Sequence, residues 1–109
     1  MDRESLKLLW DILEHAKEIQ QMVIGITFDE YANDRKLVLA VEPCFEIIGF
    51  AMSKLEKLRT EVKITDKEKI IGLRNKLAHS YDDVEHVNIW RTITKDLPLL
   101  IELAERLLP

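Results

Sequence analysis

Apolar residues recur at helical spacing through nearly the whole chain. From about Glu4 to Ile24, Leu6, Leu9, Trp10, Leu13, Ala16, Ile19 and Val23 form one stripe, while Lys7, Asp11, Glu14, Lys17 and Glu18 take the other faces. Gly25 stops this first helix. Thr27-Phe28-Asp29-Glu30 reads as a capping box, in which hydroxyl and carboxylate satisfy each other's free backbone N–H groups, with Ile26 and Tyr31 placed for a hydrophobic staple. One unbroken helix from there to Arg59 would be roughly 50 Å long, too long for a domain of this size. A break is therefore expected near Asn33-Asp34, then a second long helix to about Arg59, kinked where Pro43 removes a backbone hydrogen bond. Thr65-Asp66-Lys67-Glu68 is a second capping box and opens a third helix through Ile70, Ile71, Leu73, Leu77 and Ala78. Asp82 and Asp83 offer N-caps for a fourth, carrying Val87, Trp90, Ile93, Leu97, Leu100, Ile101, Ala104 and Leu108, with a bend at Pro98. The fold class expected is all-α: an antiparallel up-and-down bundle of four helices, or five if the break near Asn33 is counted. Residues 1–109 make one domain.

Composition supports helices and limits the site. The chain has 109 residues, 47% hydrophobic and 33% charged, with three Gly and three Pro, which disfavours a turn-rich β architecture. A domain of this size buries roughly two-thirds of its unfolded surface, enough for one core but not for a deep cleft as well. A site that needs walls must then take them from a second copy or a partner. The net charge of -4 argues against a general nucleic-acid coat, yet it allows local contact with one or two phosphates. Cys44 is the lone cysteine and cannot form an intrachain disulfide. Met1-Asp2-Arg3-Glu4-Ser5 lacks the apolar stretch of a signal peptide, and no apolar run approaches bilayer length, so a cytoplasmic protein with no membrane partner is expected.

The residues that carry chemistry cluster at Arg74-Asn75-Lys76-Leu77-Ala78-His79-Ser80-Tyr81, which reads R-x4-H-x-Y. Arg grips a phosphate with a planar fork of donors, and His takes and returns a proton near neutral pH. On a regular helix Arg74, Leu77, Ala78 and Tyr81 share a face, whereas His79 lies roughly 140° round from Arg74. Either the helix loosens near His79 or the two reach a common point from opposite flanks of a groove. A blander reading fits the same spacing: Arg74 pairs with Glu46 or Asp82, His79 caps the last carbonyls, and Tyr81 is a packed aromatic. Elsewhere His15 and His86 read as solvated. With no cysteine pair and no His-x3-His, no metal site is expected. Lys54, Lys57, Arg59 and Lys63 read as a solvated face, or as a guide for an RNA strand. Asp2, Asp11 and Glu14 read as surface acids. Gly25, Gly49 and Gly72 are isolated, so there is no Gly-rich phosphate loop.

The motif resembles the R-x4-H-x-Y signature of the HepT-like family within the HEPN superfamily. The likeness extends further: Phe45-Glu46-Ile47-Ile48-Gly49 is similar to the family's "LEIIGEA" segment, Asp34-Arg35-Lys36 to the "DRK" before it, and Trp90-x-x-Ile93-x-x-Asp96-Leu97-Pro98 to its final-helix "W-x-T-v-x-x-DLP". Four positions depart from the pattern. Phe50 stands where an acid is common, Pro43 falls in the long helix, the link from Arg59 to Thr65 is short, and Ser80 replaces a commoner glycine.

The resemblance implies a HEPN-like helical bundle that dimerises, with two motifs meeting in a cleft between subunits. It further implies the toxin half of a type II toxin–antitoxin pair, a metal-independent endoribonuclease acting on tRNA or mRNA. Its antitoxin would be a minimal nucleotidyltransferase that transfers AMP from ATP to the motif tyrosine, so the toxin itself needs no cofactor. Carried over by position, Arg74 and His79 are the catalytic pair, Asn75, Lys76 and Glu46 are supporting residues, and Tyr81 is the modified phenol. The alternative is a non-cleaving nucleotide-binding or regulatory subunit of the same nucleotidyltransferase.

Overall fold

The computed structural model describes residues 2–58 and 83–109. Among them every regular element is helical: α1 (Arg3–Val23), α2 (Phe28–Ala32), α3 (Arg35–Leu58), α4 (Asp83–Arg91), a π-helical turn at Thr92–Asp96, and α5 (Leu97–Leu107). The third helix expected from Thr65 lies outside the described residues.

Side chains fix most of the boundaries. Asp2 caps α1 by accepting from the Ser5 backbone N–H at 2.7 Å, a role its reading as a surface acid missed. Gly25, at φ 77°, takes the left-handed conformation that ends the helix without a Cβ penalty. The Thr27–Glu30 capping box is formed in both directions, at 2.9 and 3.2 Å. The expected break follows: Asn33 closes α2, and Asp34 opens α3 by accepting from the Leu37 N–H at 3.1 Å. Pro43 sits inside α3, which runs on past it. Both Pro43 and Leu39, whose carbonyl loses its partner, are exposed, so that carbonyl faces the solvated side.

The C-terminal helical run is divided just before Pro98. A π-helical turn precedes the proline, and Pro98 falls in the first turn of α5, where its missing N–H leaves nothing unsatisfied. The shifted ladder sends the Leu97 N–H to the Thr92 carbonyl. Two threonine hydroxyls bond back to carbonyls one turn earlier: Thr92 donates to Asn88 O at 3.1 Å and Thr94 to Trp90 O at 2.9 Å.

α1 lies between α3 and α5 and runs antiparallel to both. Glu4 meets Lys54 at 3.5 Å, while Glu18 reaches Cys44, so the start of α1 lies by the end of α3. On the other side Leu9 and Ile12 line a small gap with Leu100, Ala104 and Leu107, while Val23 and Ile24 lie by Ile93 and Pro98. This is the up-and-down arrangement expected of a helical bundle. The core is built from Leu9, Ile12, Ala16 and Ile19 of α1, Tyr31 of α2, Phe45, Ile48, Met52 and Leu55 of α3, Ile89 of α4, and Leu97 and Leu100 of α5. The α1 stripe is rotated from the one read in the sequence: Leu8 and Ile12 are buried, whereas Trp10 is 54% exposed.

This rotation has a measurable consequence. Ile12→Ala is expected to lower unfolding free energy by about 2–5 kcal/mol, as a fully enclosed aliphatic side chain leaves a cavity. Trp10→Ala should cost less than about 1 kcal/mol despite deleting a larger group. Urea unfolding of both variants at one protein concentration checks the order.

Candidate functional site

Five of the six residues singled out by the sequence, Arg74, Asn75, Lys76, His79 and Tyr81, lie outside the described residues, as does Asp82. Glu46, the sixth, is exposed on α3 between the fully buried Phe45 and Ile48. Of the basic stretch, Lys54 pairs with Glu4 and stands 5.9 Å from the Phe50 ring centroid, and Lys57 is exposed; Arg59 and Lys63 are outside the described residues. A half-exposed pair of this kind contributes little stability.

What the structure does fix is the ground on which the motif segment ends. α4 begins at Asp83, two residues after Tyr81. His86 and Trp90, four apart on α4, turn the same side toward α2. Trp90 stacks at a tilt on Tyr31, with centroids 5.3 Å apart, and meets Phe28 edge-on at 6.3 Å. His86 meets Tyr31 edge-on at 6.1 Å. His86 is thus part of an aromatic cluster, not the solvated residue the sequence suggested. The signal for it was present: Phe28 and Tyr31 are three apart, His86 and Trp90 four apart, each pair on one helix face.

The cluster leaves two polar atoms enclosed. The Tyr31 hydroxyl and His86 Nδ1 are buried without a hydrogen-bond partner. Burial pushes the Tyr31 phenol up to about 12 from its usual 10. Tyr31 is 0% exposed, so the phenol stays neutral at any physiological pH. His15, by contrast, is half-buried and places Nδ1 2.7 Å from the Asp11 carbonyl. Cys44 is buried beside the Glu18 carboxylate, with Sγ 3.8 Å from Oε2. Burial and that negative charge both push its thiol up, so it stays protonated and is a poor nucleophile. Among the described residues no group of three or more His, Cys, Asp or Glu is placed to hold a metal ion, and no helix is long and apolar enough to cross a membrane.

Comparison with known sequences covers the whole of this frame and the segment between. The family described as "Ribonuclease HepT-like" matches residues 12–107, a span that includes Arg74, His79 and Tyr81. A Thermococcus cleftensis protein named "Probable ribonuclease HepT" is 30% identical over 111 residues, covering 98% of each chain. A Caldanaerobacter subterraneus protein named "Putative RNase TTE0752" is 36% identical over 99 residues, with 89% of this chain and 88% of the relative covered. A Methanocaldococcus jannaschii protein named "Putative RNase MJ1216" is 28% identical over 107 residues, covering 97% of this chain and 88% of the relative. No solved structure matches to a significant degree. The chain belongs to the HepT-like ribonuclease family.

The Tyr31 environment predicts an alkaline limit. Its folded pKa is raised above the unfolded value, so its contribution is whole below pH 10 and is lost as pH rises towards 12. Over that window the wild type should lose roughly 1.4 kcal/mol per pH unit more than Tyr31→Phe does. Below pH 9 the variant should be as stable as wild type or slightly more so, because the hydroxyl it removes is unpartnered. Thermal melts of the two proteins across pH 8–12 make the comparison.

Proposed function

We propose that this chain is the ribonuclease toxin of a toxin–antitoxin pair, working as a homodimer whose two motifs share one cleft. The observation that carries the reading is the family match from residue 12 to residue 107, which spans the complete R-x4-H-x-Y run. The names of the relatives, each an RNase, support the same substrate class.

The residues suffice for the chemistry. RNA brings its own nucleophile, the 2′-hydroxyl, so the protein needs a proton acceptor, a proton donor and a charge to stabilise the phosphorane. His79 accepts the 2′-hydroxyl proton as the 2′-oxygen bonds to phosphorus. The bond from phosphorus to the 5′-oxygen then breaks, and that oxygen takes a proton from an imidazolium, which the second copy's motif would supply. Arg74 holds the negative charge that builds on the equatorial oxygens. Asn75, Lys76 and Glu46 are assigned supporting positions in the cleft. The antitoxin in this reading is a minimal nucleotidyltransferase that moves AMP from ATP to the Tyr81 hydroxyl, releasing pyrophosphate. Bulk and negative charge would then occupy the groove that substrate phosphate needs, as with other phosphate modifications. The toxin itself needs no cofactor, and both partners act in the cytoplasm where the RNA is.

The test combines growth, cleavage and mass. Wild type expressed alone should arrest growth and cleave RNA in vitro. His79→Ala should lower cleavage by roughly 10²–10⁴-fold and Arg74→Ala by roughly 10²–10³-fold, and both should relieve arrest. Co-expression with the nucleotidyltransferase should add AMP to the intact mass, and Tyr81→Phe should abolish the addition. A folded wild type that binds nucleotide but leaves RNA intact would overturn the reading in favour of a regulatory subunit.

A further inference from the structure

The inward face of α3 is used by the core, through Val41, Cys44, Phe45, Ile48, Ala51, Met52 and Leu55. Its outward face is also apolar. Leu39 is 49% exposed, Ile47 39%, Phe50 65% and Leu58 42%, half of the large hydrophobics exposed among the described residues. At about 100° per residue these four fall within an arc of roughly 100°, with the exposed Pro43 and Lys54 between them. Scattered surface leucines need no explanation, but a continuous stripe about 28 Å long does.

The spacing says what covers it. Successive stripe residues are eight, three and eight positions apart, so the pattern mirrors itself about the point between Ile48 and Gly49. Pro43 and Lys54 mirror each other about the same point. A two-fold axis through that point, perpendicular to the helix, lays α3 antiparallel on a second α3. Leu39 then faces Leu58 of the other copy, and Ile47 faces Phe50. Interfaces between identical chains related by a two-fold must be self-complementary in this way, and a partner of different sequence imposes no such symmetry. The two Lys54 ammonium groups, eleven residues apart along the paired helices, stand roughly 16 Å from each other and do not clash. Phe50 is the most exposed of the four and, with Ile47, lies nearest the axis.

We propose that two copies of this chain join through the outward face of α3, antiparallel, with the axis between Ile48 and Gly49. This rests on the two-copy reading of the site and says which surface joins the copies. Glu46, two or three residues from the axis, is thereby placed beside the seam.

Sedimentation and cross-linking of the full chain test it. Wild type should sediment as a dimer, and Phe50→Glu should raise the dissociation constant by roughly 100-fold or more, because an unpaired carboxylate would have to be buried. Circular dichroism of Phe50→Glu should show the wild-type helix content, since the position is exposed in the monomer. Under mild oxidation neither Leu39→Cys nor Leu58→Cys alone should form a disulfide dimer, because like positions lie about 28 Å apart. A mixture of the two should form one, and wild type, with Cys44 buried, serves as the blank. A wild type that is monomeric throughout overturns both the pairing and the shared cleft. A dimer that survives Phe50→Glu, or that links Leu39→Cys to itself, overturns the α3 pairing and leaves the two-copy reading intact. RNA cleavage, measured separately, bears only on the catalytic reading.

Discussion

α1 is pressed between α3 and α5, and its Leu9, Ile12, Ala16 and Ile19 are almost wholly removed from water by those two neighbours. A 21-residue helix held on two sides dictates where both partners run, antiparallel to it. Ala16, with no exposure, lets the helices approach closely in the middle, while Lys17–Glu105 and Lys54–Glu4 tie the margins at 3.2 and 3.5 Å. These exposed pairs add little energy; burial of the aliphatic face supplies most of it. Once α3 has turned one side to α1, the apolar residues from Leu39 to Leu58 on its other side stay exposed among the described residues.

The same constraint bears on the site through α2 and α4. α2 is only five residues long, yet its Tyr31 is entirely enclosed, and the Phe28, Tyr31, His86 and Trp90 rings lock it to α4. α4 is thus anchored within its first two turns, close after Tyr81 in the chain. Two polar atoms are buried without partners to achieve this, a local cost of the kind that usually accompanies positioning.

Local signals were the most legible in the sequence. Caps at Thr27 and Asp34 follow from side chains that satisfy backbone N–H groups three residues on, and the stop at Gly25 follows from the left-handed conformation that glycine takes without a Cβ penalty. The phase of α1 was not legible, because Leu6, Leu8, Leu9, Trp10, Ile12 and Leu13 offer more apolar positions than one face can hold, and tertiary packing chooses among them. His86 was misread because its partners come from α2, distant in sequence. The π-helical turn just before Pro98 was not legible, because no local residue pattern announces it. The R-x4-H-x-Y run was legible as a pattern of residue types, and the family resemblance it pointed to is shown by the match over residues 12–107, whereas spacing alone gave no arrangement of Arg74 and His79. The α3 stripe was legible only once the inward face of that helix had been assigned.

The chemistry of the cut ends tests the central claim most directly. RNA incubated with the purified protein in the presence of a chelator should be cut to products bearing 2′,3′-cyclic phosphate and 5′-hydroxyl ends, the outcome of attack by the 2′-oxygen. Products with 3′-hydroxyl and 5′-phosphate ends, or cleavage that stops when divalent cations are removed, would contradict it.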